Sequence, residues 1–351
     1  MAIPPRDYFR SLPHLVKCAA GYVNYRRTGS TPDFAYQSLR RLTCLTDGRF
    51  NRIASRLGRP LGPPELQLPE SGILGPTAGA WLRRVIDDLD RDGYHVFDQR
   101  LPEETCDALE RFALETPGYP LRRLGDTTAA GADDRPESSL YDRERPLGVR
   151  HQFVKQALFE CPAIQALAID PSFYAVARGY LRLNPILDLA VMWWSAAGFE
   201  EDRAQAAQMY HIDMDWVRFL NFNIYLTDVT PESGPHVVVR GSHRTKPRAL
   251  RRDGRLSDEQ ILAHYPEEDV RELTGPRGTI SVVDTSSLHK GKALTEGDRL
   301  FCQIRFSSSG FGQNYETVTV DERFSEDFRD AVARYPGAFP DFVAEPAAGA
   351  R

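Results

Sequence analysis

His211 and Asp213 stand two residues apart in the stretch Tyr-His-Ile-Asp-Met-Asp, and of the eight histidines only His211 has a carboxylate at that spacing. On extended backbone, residues i and i+2 point to the same side. An imidazole and a carboxylate can therefore address one point in space while Ile212 faces away. Two protein donors leave a metal site incomplete. His289, which ends Gly-Thr-Ile-Ser-Val-Val-Asp-Thr-Ser-Ser-Leu-His, is the candidate third, because an apolar strand runs out there into a turn. Two histidines and one carboxylate make the facial triad of non-haem Fe(II) oxygenases. Its three remaining coordination positions suit a chelating 2-oxo acid and O₂.

An isolated His-x-Asp often occurs by accident, so its surroundings carry the weight. Arg299 begins the next apolar run, RLFCQIRF, after the turn segment KGKALTEGD. Read as a tight hairpin, that turn would set the Arg299 strand beside the strand of His289. The distal carboxylate of 2-oxoglutarate needs a planar, permanently charged, bidentate partner, which arginine offers and lysine does not. Arg305 shares the face of Arg299 by parity and is the fallback. A cupin holding Zn²⁺ or Mn²⁺ without 2-oxoglutarate would leave Arg299 unexplained.

The elements that must position these groups come late in the chain. ILDLAVMWW, VRFLNFNIYLTD, HVVV, GTISVVD and RLFCQIRF read as strands. They follow a run of helices: AWLRRVIDDLDRDG with a Gly stop, LPEETCDALERFALE with Pro and two acids in its first turn, and stretches around 152–168 and 171–182. Helices followed by strands predict a mainly β domain, a barrel or two-sheet sandwich with flanking helices. On VRFLNFNIYLTD, Asn221, Asn223 and Tyr225 share one face and Phe222, Ile224 and Leu226 the other. The polar face suits a wet cavity lining, with Asn223 and Tyr225 toward the cosubstrate. One of Trp193 and Trp194 must face the interior, and Trp193 is placed with the cosubstrate. Gln208 is a candidate to support His211 from behind.

Residues 1–79 read as an N-terminal extension of short helices and Pro/Gly breaks, 80–340 as the catalytic domain, and 341–351 as a loose tail. Residues 119–149, rich in Gly, Asp, Arg and Pro, read as either a lid or a disordered loop. The 351 residues are 41% hydrophobic and 26% charged, an ordinary globular composition. A net charge of −5 gives no reason to expect nucleic acid as a partner. Five widely spaced cysteines favour neither a disulfide framework nor a CxxC metal site. No run approaches the roughly 20 apolar residues of a membrane span. A soluble, cytoplasmic protein with free thiols is expected.

Three segments together resemble the phytanoyl-CoA dioxygenase family of Fe(II)/2-oxoglutarate enzymes: HIDMDW, NFNIYLTDVTPESGPHVVVRGSH and DTSSLHKGKALTEGDRLFCQIRF. The opening DGYHVFDQRLPEETCDALERF also looks like the family's start, so the likeness covers roughly residues 80–310. The resemblance implies a double-stranded β-helix, the jelly-roll or cupin-like barrel. It also implies iron on His211, Asp213 and His289 and 2-oxoglutarate on Arg299. His243 matches the family's Gly-Ser-His corner and is read as a stabilising residue. Arg240 replaces the proline usual before that corner. Gly291 stands where relatives often carry a small hydroxyl residue, so that cosubstrate contact has no side chain here.

What these parts imply is an oxygenase that hydroxylates a small organic substrate, releasing succinate and CO₂. Desaturation, epimerisation and ring closure use the same ligands. Halogenation would need the carboxylate ligand removed, and Asp213 is present. A non-catalytic barrel is the reading of another class. The basic stretch RGSHRTKPRALRRDGR would favour an anionic substrate if it borders the mouth of the site.

Overall fold

The computed structural model describes residues 5–121, 137–199 and 207–345. The N-terminal extension is mostly helix: α1 (Pro5–Thr28), α2 (Asp33–Thr46) and α3 (Arg49–Gly58). Gly21 lets α1 and α2 approach closely, since a Cβ there would lie 2.1 Å from that of Ala35. Cys18, Ala35, Leu39 and Leu42 bury their apolar faces with Val217 and Phe311 from the remainder of the chain. The helices are thus packed onto the larger body.

Helix α4 (Gly79–Asp92) ends at Gly93, whose φ of 86° belongs to the left-handed cap that glycine favours. A Cβ at Gly93 would also meet His243 Nδ1 at 2.6 Å and Ser287 Oγ at 2.8 Å. Strand β1 (Tyr94–Arg100), helix α5 (Glu103–Glu115), β2 (Tyr119–Leu121) and β3 (Arg150–Gln152) follow. The helical stretch expected over 152–168 divides into α6 (Lys155–Phe159) and α7 (Pro162–Ala168). Pro162 causes the break, because it lacks the N–H that would continue the earlier helix. Helix α8 (Pro171–Leu181) is capped by Asp170, whose carboxylate accepts from the N–H groups of Ser172 and Phe173.

The two sheets that frame the site are completed by β4 (Ile186–Ala196), β5 (Phe219–Tyr225), β6 (His236–Val239), β7 (Val270–Leu273), β8 (Thr279–Val283), β9 (His289–Gly291) and β10 (Asp298–Ser307). Seven strands form an antiparallel sheet in the order β1-β8-β5-β10-β4-β3-β2, and three more form a smaller sheet in the order β9-β6-β7. Strand β5 is buried throughout. Its Leu220, Phe222 and Ile224 join the main core, where Phe222 meets Phe173 of α8 with ring centroids 4.7 Å apart.

Two expectations are corrected. The chain is not mainly β: helix exceeds strand, because the extension and the segment before β4 are largely helical. The Arg299 strand does not lie beside that of His289. Strand β9 pairs with β6 in the small sheet, while β10 pairs with β4 and β5 in the large one. Residues 292–297 cross between the sheets, and β10 gains a ten-position register with β4 that a hairpin partner of three residues could not supply. The five cysteines are free. Residues 122–136 of the expected lid-or-loop segment and the tail sequence PAAGAR lie outside the described residues.

Candidate metal centre

The backbone of the small sheet brings the distant histidine to the His-x-Asp pair. His211 N–H donates to His289 O (2.9 Å) and His289 N–H returns the bond to His211 O (3.0 Å). Asp213 N–H donates to Thr285 O at 3.0 Å. Side chains then alternate as strand parity requires. Tyr210, Ile212 and Met214 enter an apolar cluster with Val237, Val239 and Leu288, while His211 and Asp213 turn to the opposite side.

The donor atoms of His211, Asp213 and His289 all lie within 4.8 Å of one another. His211 Nε2 is 3.4 Å from Asp213 Oδ1, and His289 Nε2 is 3.5 Å from Asp213 Oδ2. Each Nδ1–H donates to a main-chain carbonyl, His211 to Met209 O at 2.9 Å and His289 to Ser287 O at 3.0 Å. Those bonds place the ring proton on Nδ1 and free each Nε2 lone pair for a metal, the orienting arrangement usual for metal-binding histidines. Burial and then the His289 ring hold His211 below its ordinary value. Burial alone would raise the Asp213 carboxyl, but the two imidazoles hold it well below the usual range. The site therefore offers one carboxylate and two imidazoles whose Nε2 atoms are left free by the Nδ1–H bonds, the donor set of the facial triad.

These groups open into a cavity of about 270 Å³ between the sheets. Strand β10 presents Arg299, Phe301, Gln303 and Arg305 to it in alternation. Arg299 is 5% exposed, and among the described residues it donates only to Ser195 Oγ, at 3.3 Å, while its Nε has no partner. Burial holds its pKa below the ordinary value. Arg305 differs. Its Nε donates to Asp188 Oδ2 at 2.8 Å and its Nη1 to Asp215 Oδ2 at 2.7 Å, so the fallback anchor is already committed. Burial pushes Asp188 up to about 6 against the opposing pull of Arg305. Arg305→Ala would remove the main compensating charge from Asp188, which is 1% exposed. It should cost about 3–5 kcal/mol of stability in denaturant unfolding while iron and 2-oxoglutarate binding by the folded fraction persist. Unchanged stability would show that this pair is not structural.

Other expected site residues divide. Trp193 lines the cavity, whereas Trp194 lies in the main core, stacked on Tyr141 with ring centroids 4.7 Å apart. Asn223 does not line the cavity among the described residues, and its Oδ1 accepts from Gln303 Nε2 at 3.0 Å. Tyr225 is a tie between sheets. Its hydroxyl donates to Leu273 O at 2.6 Å and accepts from His236 N–H at 3.0 Å. Gln208 also lies outside the lining, while Gly291 lies within it. His243 sits at the corner beneath Gly93, with Nε2 3.3 Å from Asp90 O. Much of the basic stretch is paired elsewhere, Arg240 with Asp269, Arg248 with Asp7, and Lys246 and Arg251 with Asp47, while Arg255 lies near enough to Asp213 to interact with its charge. None of residues 240–255 lines the cavity.

Sequence reasoning missed Arg150, Gln152, Asp215, His236, Phe301 and Gln303, all in the lining. Parity from Arg299 would have found Phe301 and Gln303. Arg150 required knowledge of which strand β3 joins.

The sequence profile described as phytanoyl-CoA dioxygenase (PhyH) matches residues 89–301. No curated protein sequence matches the chain. Among solved structures, AviO1 from Streptomyces viridochromogenes Tue57 is similar at 17% identity, over 66% of this chain and 96% of that one, with a TM-score of 0.43. The α-ketoglutarate-dependent epimerase SnoN from nogalamycin biosynthesis is similar at 18% identity, over 64% and 82%, with a TM-score of 0.46. EctD from S. alaskensis with bound Fe is similar at 21% identity, over 66% and 77%, with a TM-score of 0.43. Among the described residues, no helix is long and apolar enough to cross a membrane.

Proposed function

The chain belongs to the phytanoyl-CoA dioxygenase family, and from that premise we propose that His211, Asp213 and His289 hold its iron and that Arg299 seats the distal carboxylate of 2-oxoglutarate. It is an Fe(II)- and 2-oxoglutarate-dependent oxygenase, and hydroxylation of a small organic molecule is the reading favoured here. The observation that carries the assignment is the convergence of three donors on one point, with both imidazoles oriented by carbonyls.

Iron with 2-oxoglutarate and O₂ supplies an oxidation coupled to decarboxylation of the keto acid to succinate and CO₂. The chain's own groups hold and orient. The two Nδ1–H bonds keep both rings in one tautomer. The Arg299 fork meets both oxygens of a carboxylate. Phe301 and Trp193 give that part of the cavity an apolar wall, which strengthens the charge pairing inside it. Asp213 occupies the position a halide would need, which disfavours halogenation. Desaturation, epimerisation and ring closure would use the same ligands.

We read the two sheets as the walls of a double-stranded β-helix spanning a catalytic domain of residues 80–340, with 1–79 as an extension and 341–351 as a tail. The free cysteines fit a reducing compartment such as the cytoplasm. The test is anaerobic addition of 2-oxoglutarate to Fe(II)-loaded protein. It should give a visible metal-to-ligand charge-transfer band, and succinate should form slowly once air is admitted. Absence of both would leave a metal-binding barrel without catalysis.

A further inference from the structure

Besides Arg299 and the paired Arg305, the cavity holds a third guanidinium, that of Arg150, which the iron and 2-oxoglutarate reading does not use. Strands β10, β4 and β3 set Arg299, Ser195 and Arg150 in one row: Arg299 pairs in register with Ser195, and Ser195 with Arg150. Aromatic rings lie between the two arginines. Arg150 Cζ lies 3.6 Å from the centroid of Trp193, Trp193 meets Phe301 at 4.5 Å, and Arg299 Cζ lies 5.3 Å from the centroid of Phe301. The stacking holds each planar fork in place without neutralising it.

Among the described residues, no carboxylate neutralises it either. The acids lining the cavity are Asp213 and Asp215. Asp213 faces the two histidines, and Asp215 Oδ2 accepts from Arg305 and from the Tyr315 hydroxyl. Among the described residues, Arg150 and Arg299 have no ion-pair partner, and the Nε of each is buried without a hydrogen bond. Burial and the Arg299 charge push Arg150 down to about 9. Arginine keeps its proton in proteins, so the unfavourable charge is relieved by an anion. One 2-oxoglutarate has one distal carboxylate, and Arg299 is placed to receive it. Arg150 lies two strands further toward the edge strand β2, whose Leu121 lines the same cavity beside it.

We propose that Arg150 seats an anionic group of the organic substrate, a carboxylate or phosphate, making the substrate of this oxygenase an anion. The inference rests on the placement of 2-oxoglutarate at Arg299 given above. The two arginines then divide the labour, one for the cosubstrate and one for the molecule to be oxidised. The basic stretch 240–255 is not needed for this preference.

The test uses the full chain loaded with Fe(II) and saturating 2-oxoglutarate without O₂, so that Arg299 is occupied. Inorganic phosphate and acetate are then titrated separately, with the melting temperature and the charge-transfer band as readouts. Wild type should show a saturable rise in melting temperature with at least one probe. Arg150→Met keeps an unbranched stem against Trp193 and should weaken that response by on the order of tenfold or more, the usual worth of a hydrogen bond to a charged group. Arg150→Lys should recover part of it. Without ligands, Arg150→Met should melt higher than wild type, because an unpaired cation has been removed. The affinity for 2-oxoglutarate should change less than about threefold in Arg150→Met, against roughly a hundredfold in Arg299→Ala. Equal losses in the two variants would place Arg150 in the cosubstrate seat and overturn the proposal, as would wild type indifferent to both probes. A wild type that gives no charge-transfer band fails at the earlier reading instead.

Discussion

Arg299→Ala is expected to raise the dissociation constant of 2-oxoglutarate by on the order of a hundredfold or more, the equivalent of about 3–5 kcal/mol for breaking a buried charge pair. The side chain is 5% exposed, its one hydrogen bond goes to a neutral hydroxyl, and no carboxylate competes for it among the described residues. It is therefore pre-set for an incoming anion. The keto acid's distal carboxylate would enter a region walled by Phe301 and Trp193, where an unpaired charge is costly. Iron content should be unchanged, since Arg299 lies on the sheet opposite the triad. Arg299→Lys should recover the affinity only in part, because a point charge cannot form the fork. Anaerobic titration read by the charge-transfer band decides the matter. If Arg299→Ala binds 2-oxoglutarate as wild type does, the anchor lies elsewhere and the cosubstrate placement is wrong.

The second large effect concerns the triad. His211→Ala, Asp213→Ala and His289→Ala should each lose stoichiometric iron and lower 2-oxoglutarate turnover by more than the 10–100-fold typical of residues that merely support a metal ligand. Asp213 matters most electrostatically, because its two oxygens face the two imidazoles and it is the only carboxylate in the set. The backbone bonds between His211 and His289 do not involve the side chains, so circular dichroism should report an intact fold. Metal analysis after desalting, together with succinate formation, provides the measurement. A variant that keeps both iron and turnover removes its residue from the ligand set. His243→Ala should lower stability and leave iron in place, since His243 packs under Gly93 and belongs to the corner.

The convergence of His211, Asp213 and His289 and the place of Arg299 in the same cavity were legible because each depends on local parity and on side-chain chemistry that few alternatives offer. His211 and Asp213 need only an extended segment between them, and Arg299 only its position at the start of an apolar run. Whatever depends on strand pairing was not legible. The segment KGKALTEGD has the composition of a hairpin, yet its flanking strands choose different sheets, because β10 finds longer partners in β4 and β5. The polar face of β5 was read correctly, but its role was not. Tyr225 spends its hydroxyl tying β5 to the small sheet, and Asn223 meets Gln303. Arg150 stood at the end of a segment without periodicity, and its place became visible only through its register with Ser195.

The match to the family spans residues 89–301, yet β10 runs to Ser307 and α4 begins at Gly79. A fragment trimmed to the matched boundaries would start inside α4 and stop just past Arg299. It would lose Ile304 and Phe306 from the main core and Arg305 from between Asp188 and Asp215. It would also shed Asp7 and Asp47, which neutralise arginines and a lysine of the 240–255 segment. The length over which relatives can be recognised is thus shorter than the length that packs together, and the segment before residue 79 supplies counter-charge and apolar cover to the larger body.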